Sequence, residues 1–106
     1  MTRFTKGTYV SRSVERNLAV VGEQLRLARL RRDLTIEQVA SRIQVSRNTV
    51  AAAEKGKPSV SIGVYAKILF VYQMEDQLLQ IAADDVLGHN IQDLNLKQRK
   101  RASSTK

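Results

Sequence analysis

Apolar residues Val14, Leu18, Val21, Leu25 and Ala28 recur at steps of four and three, the period of a helix, and a second row runs through Leu27, Leu30 and Leu34. The pattern predicts a first helix that begins at Ser13 or Leu18 and ends at Arg32. "DLT" breaks it, and Thr35 is a good N-cap for "IEQVASRI", in which Ile36, Val39, Ala40 and Ile43 share a face. A third helix, "RNTVAAAEK", is capped by Ser46 and closed by Gly56, the residue best suited to a left-handed C-terminal position, with Pro58 close behind. Ser61 caps a fourth, "IGVYAKILFVYQM". Val64, Ile68 and either Val71 or Tyr72 line one side of it, and its all-round apolarity predicts burial against more than one neighbour. "EDQLLQIAADD" continues as a short helix, with Leu78, Leu79, Ile81 and Ala82 inward and acids in the first turn, where the helix dipole favours them. "VLGHNIQDLNL" reads as one more helical turn or an extended arm, and from Lys97 onward no apolar period remains. The expected fold is all-α: a bundle of about five short helices with disordered basic tails.

The stretch "IQVSRNTVAAAEKG" holds one large branched apolar residue after its serine and then three alanines. Two short capped helices joined by a tight turn, the second poor in bulk, form the layout of a helix-turn-helix. Ala40 supplies the small residue where the helices cross, and Val39, Ile43, Val45, Val50 and Ala53 supply a shared apolar core. Counted at about 100° per residue, Val50 and Ala53 face inward, whereas Asn48, Ala51, Ala52 and Lys55 lie on the opposite side. The alanines then have a reason: Ala53 packs at the crossing, and longer side chains at Ala51 and Ala52 would hold the helix away from the floor of a groove.

Charge sharpens this picture. The chain of 106 residues carries a net +8, and its two ends account for the whole excess. Residues 1–17 hold Arg3, Lys6, Arg12 and Arg16 against Glu15, and residues 97–106 hold Lys97, Arg99, Lys100, Arg101 and Lys106 against no acid. Residues 18–57 carry eight basic and four acidic side chains, but residues 58–96 carry only Lys67 against Glu75, Asp76, Asp84, Asp85 and Asp93. One half suits a polyanion and the other does not. The absence of cysteine excludes disulfides and thiolate metal sites, so a domain this small must rely on its core or on oligomerisation, and a dimer is expected.

"GEQLRLARLRRDLTIEQVASRIQVSRNTVAAAEKGKPSV" resembles the DNA-binding domain of the Xre/Cro-type, lambda-repressor-like regulators. The resemblance covers about residues 20–80 and rests on "LT.EQVA", "VS.NTV" and "EKG" in register. In that family the helix after the turn enters the major groove of double-stranded DNA. The resemblance therefore implies Ser46 and Lys55 at phosphates, with Lys57 beside them, and Arg47, Asn48, Thr49 and Ala52 toward base edges, Ala51 sharing their face. It also implies a pair between Arg29, late in the first helix, and Glu54, with Ala40, Val50 and Ala53 as structural positions. The residue types fit: Arg binds guanine O6/N7, Asn binds adenine N6/N7, and Ala meets the thymine methyl. Two positions depart from the family pattern. Gln44 stands where glycine is usual, so a left-handed turn there is strained, and Ile36 stands where a glutamine often supports contacts.

The domain expectations are a basic arm over 1–12, a DNA-binding domain over 13–83 with the helix-turn-helix at 35–56, an acidic and apolar extension over 84–96 for a partner or dimer contact, and a disordered basic tail over 97–106. No nucleophile sits in a recognisable setting, and no histidine pair, metal-spaced carboxylate cluster or phosphate loop is present, so neither an enzyme nor a bound metal or cofactor is expected. His89 is assigned no chemistry, and Tyr65, Phe70 and Tyr72 are read as core or dimer-seam residues. No apolar run is long enough to span a membrane and the start lacks a secretory signal, so the expected address is the cytoplasm, at the nucleoid. The functional expectation is a homodimeric repressor on a palindromic operator. The alternative follows from a resemblance to the HipB-like DNA-binding components of toxin–antitoxin operons, in which the protein also binds a toxin or kinase partner.

Overall fold

The computed structural model describes residues 10–104, with side chains as far as residue 100. It is all helical: α1 (Arg12–Arg31), α2 (Ile36–Ile43), α3 (Arg47–Glu54), α4 (Ile62–Val71), a 3-10 turn over Glu75–Gln80, and α5 (Val86–Ser104). The chain divides into two compact units, one closing at Asp76 and the other starting at Gln77. That boundary falls earlier than the expected limit at 83. Most of the basic arm expected over 1–12 lies outside the described residues.

Short polar side chains start every α-helix by satisfying first-turn amides that have no intrahelical partner. Ser11, Thr35, Ser46 and Ser61 each accept the amide of the residue three positions on, and Asp85 does the same for Gly88 at 2.9 Å. At α2 the cap is reciprocal, since the Gln38 side chain accepts the Thr35 amide at 2.8 Å. α1 thus begins at Arg12, ahead of the predicted Ser13 or Leu18, because Ser11 rather than Ser13 accepts the Val14 amide.

The first four helices end alike. After each comes a residue of positive φ, and the next amide returns to the carbonyl five residues back: Leu34 to Arg29, Val45 to Ala40, Lys57 to Ala52 and Met74 to Leu69. The positive-φ residues are Asp33, Gln44, Gly56 and Gln73. Gln44 does adopt the left-handed conformation, at φ 57 and ψ 47, and the exposed side chain meets only the local penalty. Only the third position requires glycine, because a Cβ on Gly56 would come within 2.3 Å of the Leu18 carbonyl oxygen. Gly22 answers from the other side, where a Cβ would lie 2.5 Å from the Glu54 carbonyl oxygen. Here α1 and the end of α3 meet backbone against backbone.

The core comprises Leu25 and Ala28 of α1, Val39 and Ala40 of α2, Val50 and Ala53 of α3, and Ile68 and Tyr72 at α4. Ile43, Val45, Val60, Val64, Leu69 and Met74 pack around it. α3 touches α1, α2 and α4, so every other helix of this unit helps to fix its pose. Tyr72 is buried and its hydroxyl has no hydrogen-bond partner among the described residues; burial pushes its pKa up to about 12. The Arg32 guanidinium lies 5.3 Å from the Tyr72 ring centre and donates to the Ala28 and Tyr72 carbonyls at 3.0 and 3.1 Å, tying α1 to the end of α4.

Val14, Val21, Leu27 and Leu30 of α1 remain exposed, since the described packing of that helix is onto α3 around Gly22 and Gly56. Two expectations need correcting. Leu79, Ile81 and Ala82 are not inward; the predicted short helix is a 3-10 turn, whose period of three cannot stack the residues that a period of 3.6 would align. Residues 86–96, read as one more helical turn or an extended arm, are helical and form the first part of α5. Residues 97–104, expected to lack regular structure, continue that helix, because Gln, Lys, Arg and Ala are good helix formers and no Gly or Pro interrupts them.

Candidate nucleic-acid interface

α3 is framed by its cap and by the helices around it. Ser46 Oγ accepts the Thr49 amide at 3.2 Å and lies 2.9 Å from the Thr49 hydroxyl, so both side chains are engaged in starting the helix. Val50 and Ala53 point inward and are fully buried. Around the other side Arg47, Asn48 and Lys55 are exposed and Ala51 and Ala52 half-buried, with exposed Lys57 just beyond the helix. The inward and outward positions fall where the 100° count puts them. Ala40 is buried at the α2–α3 crossing.

Arg29 and Glu54 lock the inner face of α3 to α1. Arg29 Nε donates to Glu54 Oε2 at 2.7 Å and Nη2 to Oε1 at 3.1 Å, a two-pronged bridge whose side chains are 10% and 5% exposed. The third nitrogen, Nη1, donates to the Leu34 carbonyl at 2.9 Å and so holds the α1–α2 turn as well. The bond to Glu54 raises the Arg29 pKa above its ordinary value against the opposing effect of burial. One guanidinium thereby joins three pieces of chain.

A second ion pair sits where α2 and α3 both begin. Arg47 Nε donates to Glu37 Oε1 at 2.6 Å, and the two side chains are 58% and 62% exposed. The Arg47 bond first, and then the backbone amide of Glu37, hold the Glu37 carboxyl below the usual carboxylate range. Sequence reasoning singled out Arg47 but missed Glu37, ten positions away. The signal was available in principle, because a tight turn between two short helices brings their first turns together. It also missed Gly22, which looks like an ordinary helix-interior glycine until α3 is packed against it.

Other chemistry has little to build on. Among the described residues no three His, Asp or Glu side chains gather as metal ligands do, and no described helix is long and apolar enough to cross a membrane.

A family model described as a helix-turn-helix domain matches residues 20–80, more than half of the chain. The chain belongs to the helix-turn-helix domain family. No curated protein matches it. In helix-turn-helix terms α2 and α3 are the paired helices of a DNA-binding domain, α3 being the second. The αL conformation of Gln44 places the bend of this helix-turn-helix in the form that glycine usually supports. Ile36, the other departure from the family pattern, packs partly against the core and gives the start of α2 an apolar anchor in place of a polar contact.

Proposed function

We propose that the protein is a sequence-specific transcriptional repressor that occupies a palindromic operator as a homodimer, without cofactor and without catalysis. The observation that carries this reading is the division of α3: its inner residues Val50, Ala53 and Glu54 are consumed by the fold, while Arg47, Asn48, Ala51, Ala52 and Lys55 are left on the other side with little bulk among them. Arg47, Asn48 and Ala52 suit base edges, Thr49 a weaker contact there, and Ser46, Lys55 and Lys57 suit phosphates. The test measures affinity for the operator and for a random duplex across a salt series. Arg47→Ala or Asn48→Ala should cost about 1–3 kcal/mol on the operator and little on the random duplex. Equal loss on both would make α3 only a cationic surface.

The second copy that a palindrome requires has a natural seat on α5. Leu87, Ile91 and Leu94 follow the four–three step and are all exposed. The acids Asp84 and Asp85 lie at one end of this stripe and Lys97, Arg99 and Lys100 at the other, so two α5 helices laid antiparallel set opposite charges together. In the register that sets Ile91 against its own copy, Leu87 falls within one residue of Leu94. Two-fold pairing is the geometry that sets recognition helices about 34 Å apart on one face of DNA. Sedimentation should show a dimer at micromolar concentration that Ile91→Glu converts to monomer. A wild-type monomer that holds a neighbour-encoded protein through the same stripe would instead support the antitoxin reading.

A further inference from the structure

The Glu37–Arg47 pair has no evident place in folding. Both side chains are more than half exposed, and isolated pairs of that kind contribute little to stability. It nevertheless lies at the first residue of the proposed base-reading helix, and it brings a negative charge to a surface meant for a polyanion. A carboxylate there repels phosphate and lowers affinity for DNA of any sequence. The geometry supplies a compensating use. Glu37 stands in the first turn of α2, whose backbone is fixed by the reciprocal cap between Thr35 and Gln38. Arg47 gives it only Nε; among the described residues neither terminal nitrogen of Arg47 donates to the protein. A guanidinium can approach guanine O6 and N7 with two parallel donors either side-on, through Nε and one terminal nitrogen, or end-on, through both terminal nitrogens. Glu37 occupies the side-on edge and leaves the end-on fork intact.

We infer that Glu37 is a specificity-determining positioning residue, which holds Arg47 by Nε so that its two terminal nitrogens read one guanine in each half-site end-on, and which keeps that arginine off the phosphates. This rests on the reading of α3 as a base-reading helix. A carboxylate fits the task because it accepts a charge-assisted bond while donating nothing, so it fixes the guanidinium without competing for the base acceptors.

The experiment selects duplexes from a random library with the full chain and with Arg47→Ala, Glu37→Gln and Glu37→Ala, then measures each variant on the selected duplex, on the same duplex with the guanine replaced, and on random DNA. The wild type should enrich one guanine per half-site that Arg47→Ala no longer enriches. Glu37→Gln retains a carbonyl oxygen for Nε, so the guanine should persist while random-duplex affinity rises roughly two- to tenfold on removal of the negative charge. Glu37→Ala should show the same rise but lose the preference, its discrimination against the replaced guanine falling roughly tenfold or more toward none. The thermal midpoint of Glu37→Ala should match the wild type, which excludes a structural cause. An unchanged guanine preference in Glu37→Ala overturns the role of Glu37. An Arg47→Ala protein that still enriches the guanine overturns the choice of base reader while leaving sequence-specific binding intact. Wild type that enriches no duplex overturns base reading itself, and the positioning role with it.

Discussion

Replacing Glu54 with Ala removes one member of a bridge that is almost completely buried, leaving the Arg29 guanidinium with Nε and Nη2 unpaired in the interior. Stranding a buried charge in this way costs about 3–5 kcal/mol, several times the contribution of an exposed pair. For a domain of this size each kcal/mol moves the midpoint by about 4–8 °C, so the drop should be roughly 12 °C or more. Removing both charges together behaves differently. Arg29→Met with Glu54→Met substitutes apolar volume for the pair and should recover most of the loss, short of about 1 kcal/mol for the Leu34 carbonyl that Arg29 Nη1 no longer satisfies. Urea unfolding followed by far-ultraviolet circular dichroism compares wild type, Glu54→Ala and the double variant, and repeating it from low to high salt tests burial directly. A buried pair is barely screened, so the Glu54→Ala loss should not shrink as salt rises. A loss below about 1 kcal/mol, or one that vanishes in high salt, would show that the pair behaves as a surface contact. It would also detach the pose of α3 from α1.

Gln44→Gly should change stability by less than about 1 kcal/mol, because relief of the left-handed strain is offset by the greater freedom of glycine in the unfolded chain. Gly56→Ala should cost well above the roughly 1–2 kcal/mol of the left-handed penalty alone, since the new methyl also meets the Leu18 backbone; the two are compared by denaturant midpoint. Ile68→Ala, which empties a fully buried position, should cost about 2–5 kcal/mol in the same assay. The Tyr72 phenol is raised in the folded state, so the stability linked to its proton is fully present below pH 10 and lost as pH climbs toward 12; ultraviolet phenolate titration should show Tyr72 ionising late or only on unfolding. Neutralising Lys97, Arg99, Lys100 and Arg101 should weaken binding to any duplex and flatten the salt slope by about 0.9 for each phosphate left without its cation, with sequence preference retained; an unchanged slope would assign that charge elsewhere.

What could be read without coordinates follows local chemistry closely. α2 and α3 each start at a capping hydroxyl and α3 closes at Gly56, signals carried by single residues that announce themselves in sequence, whereas the left-handed Gln44 that ends α2 does not. The outward face of α3 needs only the helical period, which is why Asn48, Ala51, Ala52 and Lys55 emerge from counting, while Arg47 came through the family resemblance. α5 was not legible in the same way. Its row of Leu87, Ile91 and Leu94 is only two turns long and is blurred by Val86 and Leu96 off that face, and past Lys97 nothing apolar marks a face. Glu37 and Gly22 escaped for a different reason. Each has meaning only once another helix arrives beside it, and no local pattern encodes that arrival. Arg29 and Glu54 came through family resemblance, but the depth of their burial did not, and burial decides whether their loss is trivial or severe.

The backbone contact between Gly22 and Gly56 bears on how such a protein can be retargeted. Where helices meet through interlocking side chains, a repacked rotamer can tilt one against the other; where main chain rests on main chain there is no rotamer to change. The seating of α3 is thus insulated from whatever stands at Arg47, Asn48, Ala51, Ala52 and Lys55. A library randomised at these five positions should return folded members in high proportion, with new base preferences scattered among them, whereas one that also varies Gly22 or Gly56 should return few that fold. Evolutionary drift in target choice and retention of architecture would then proceed on opposite sides of one eight-residue helix.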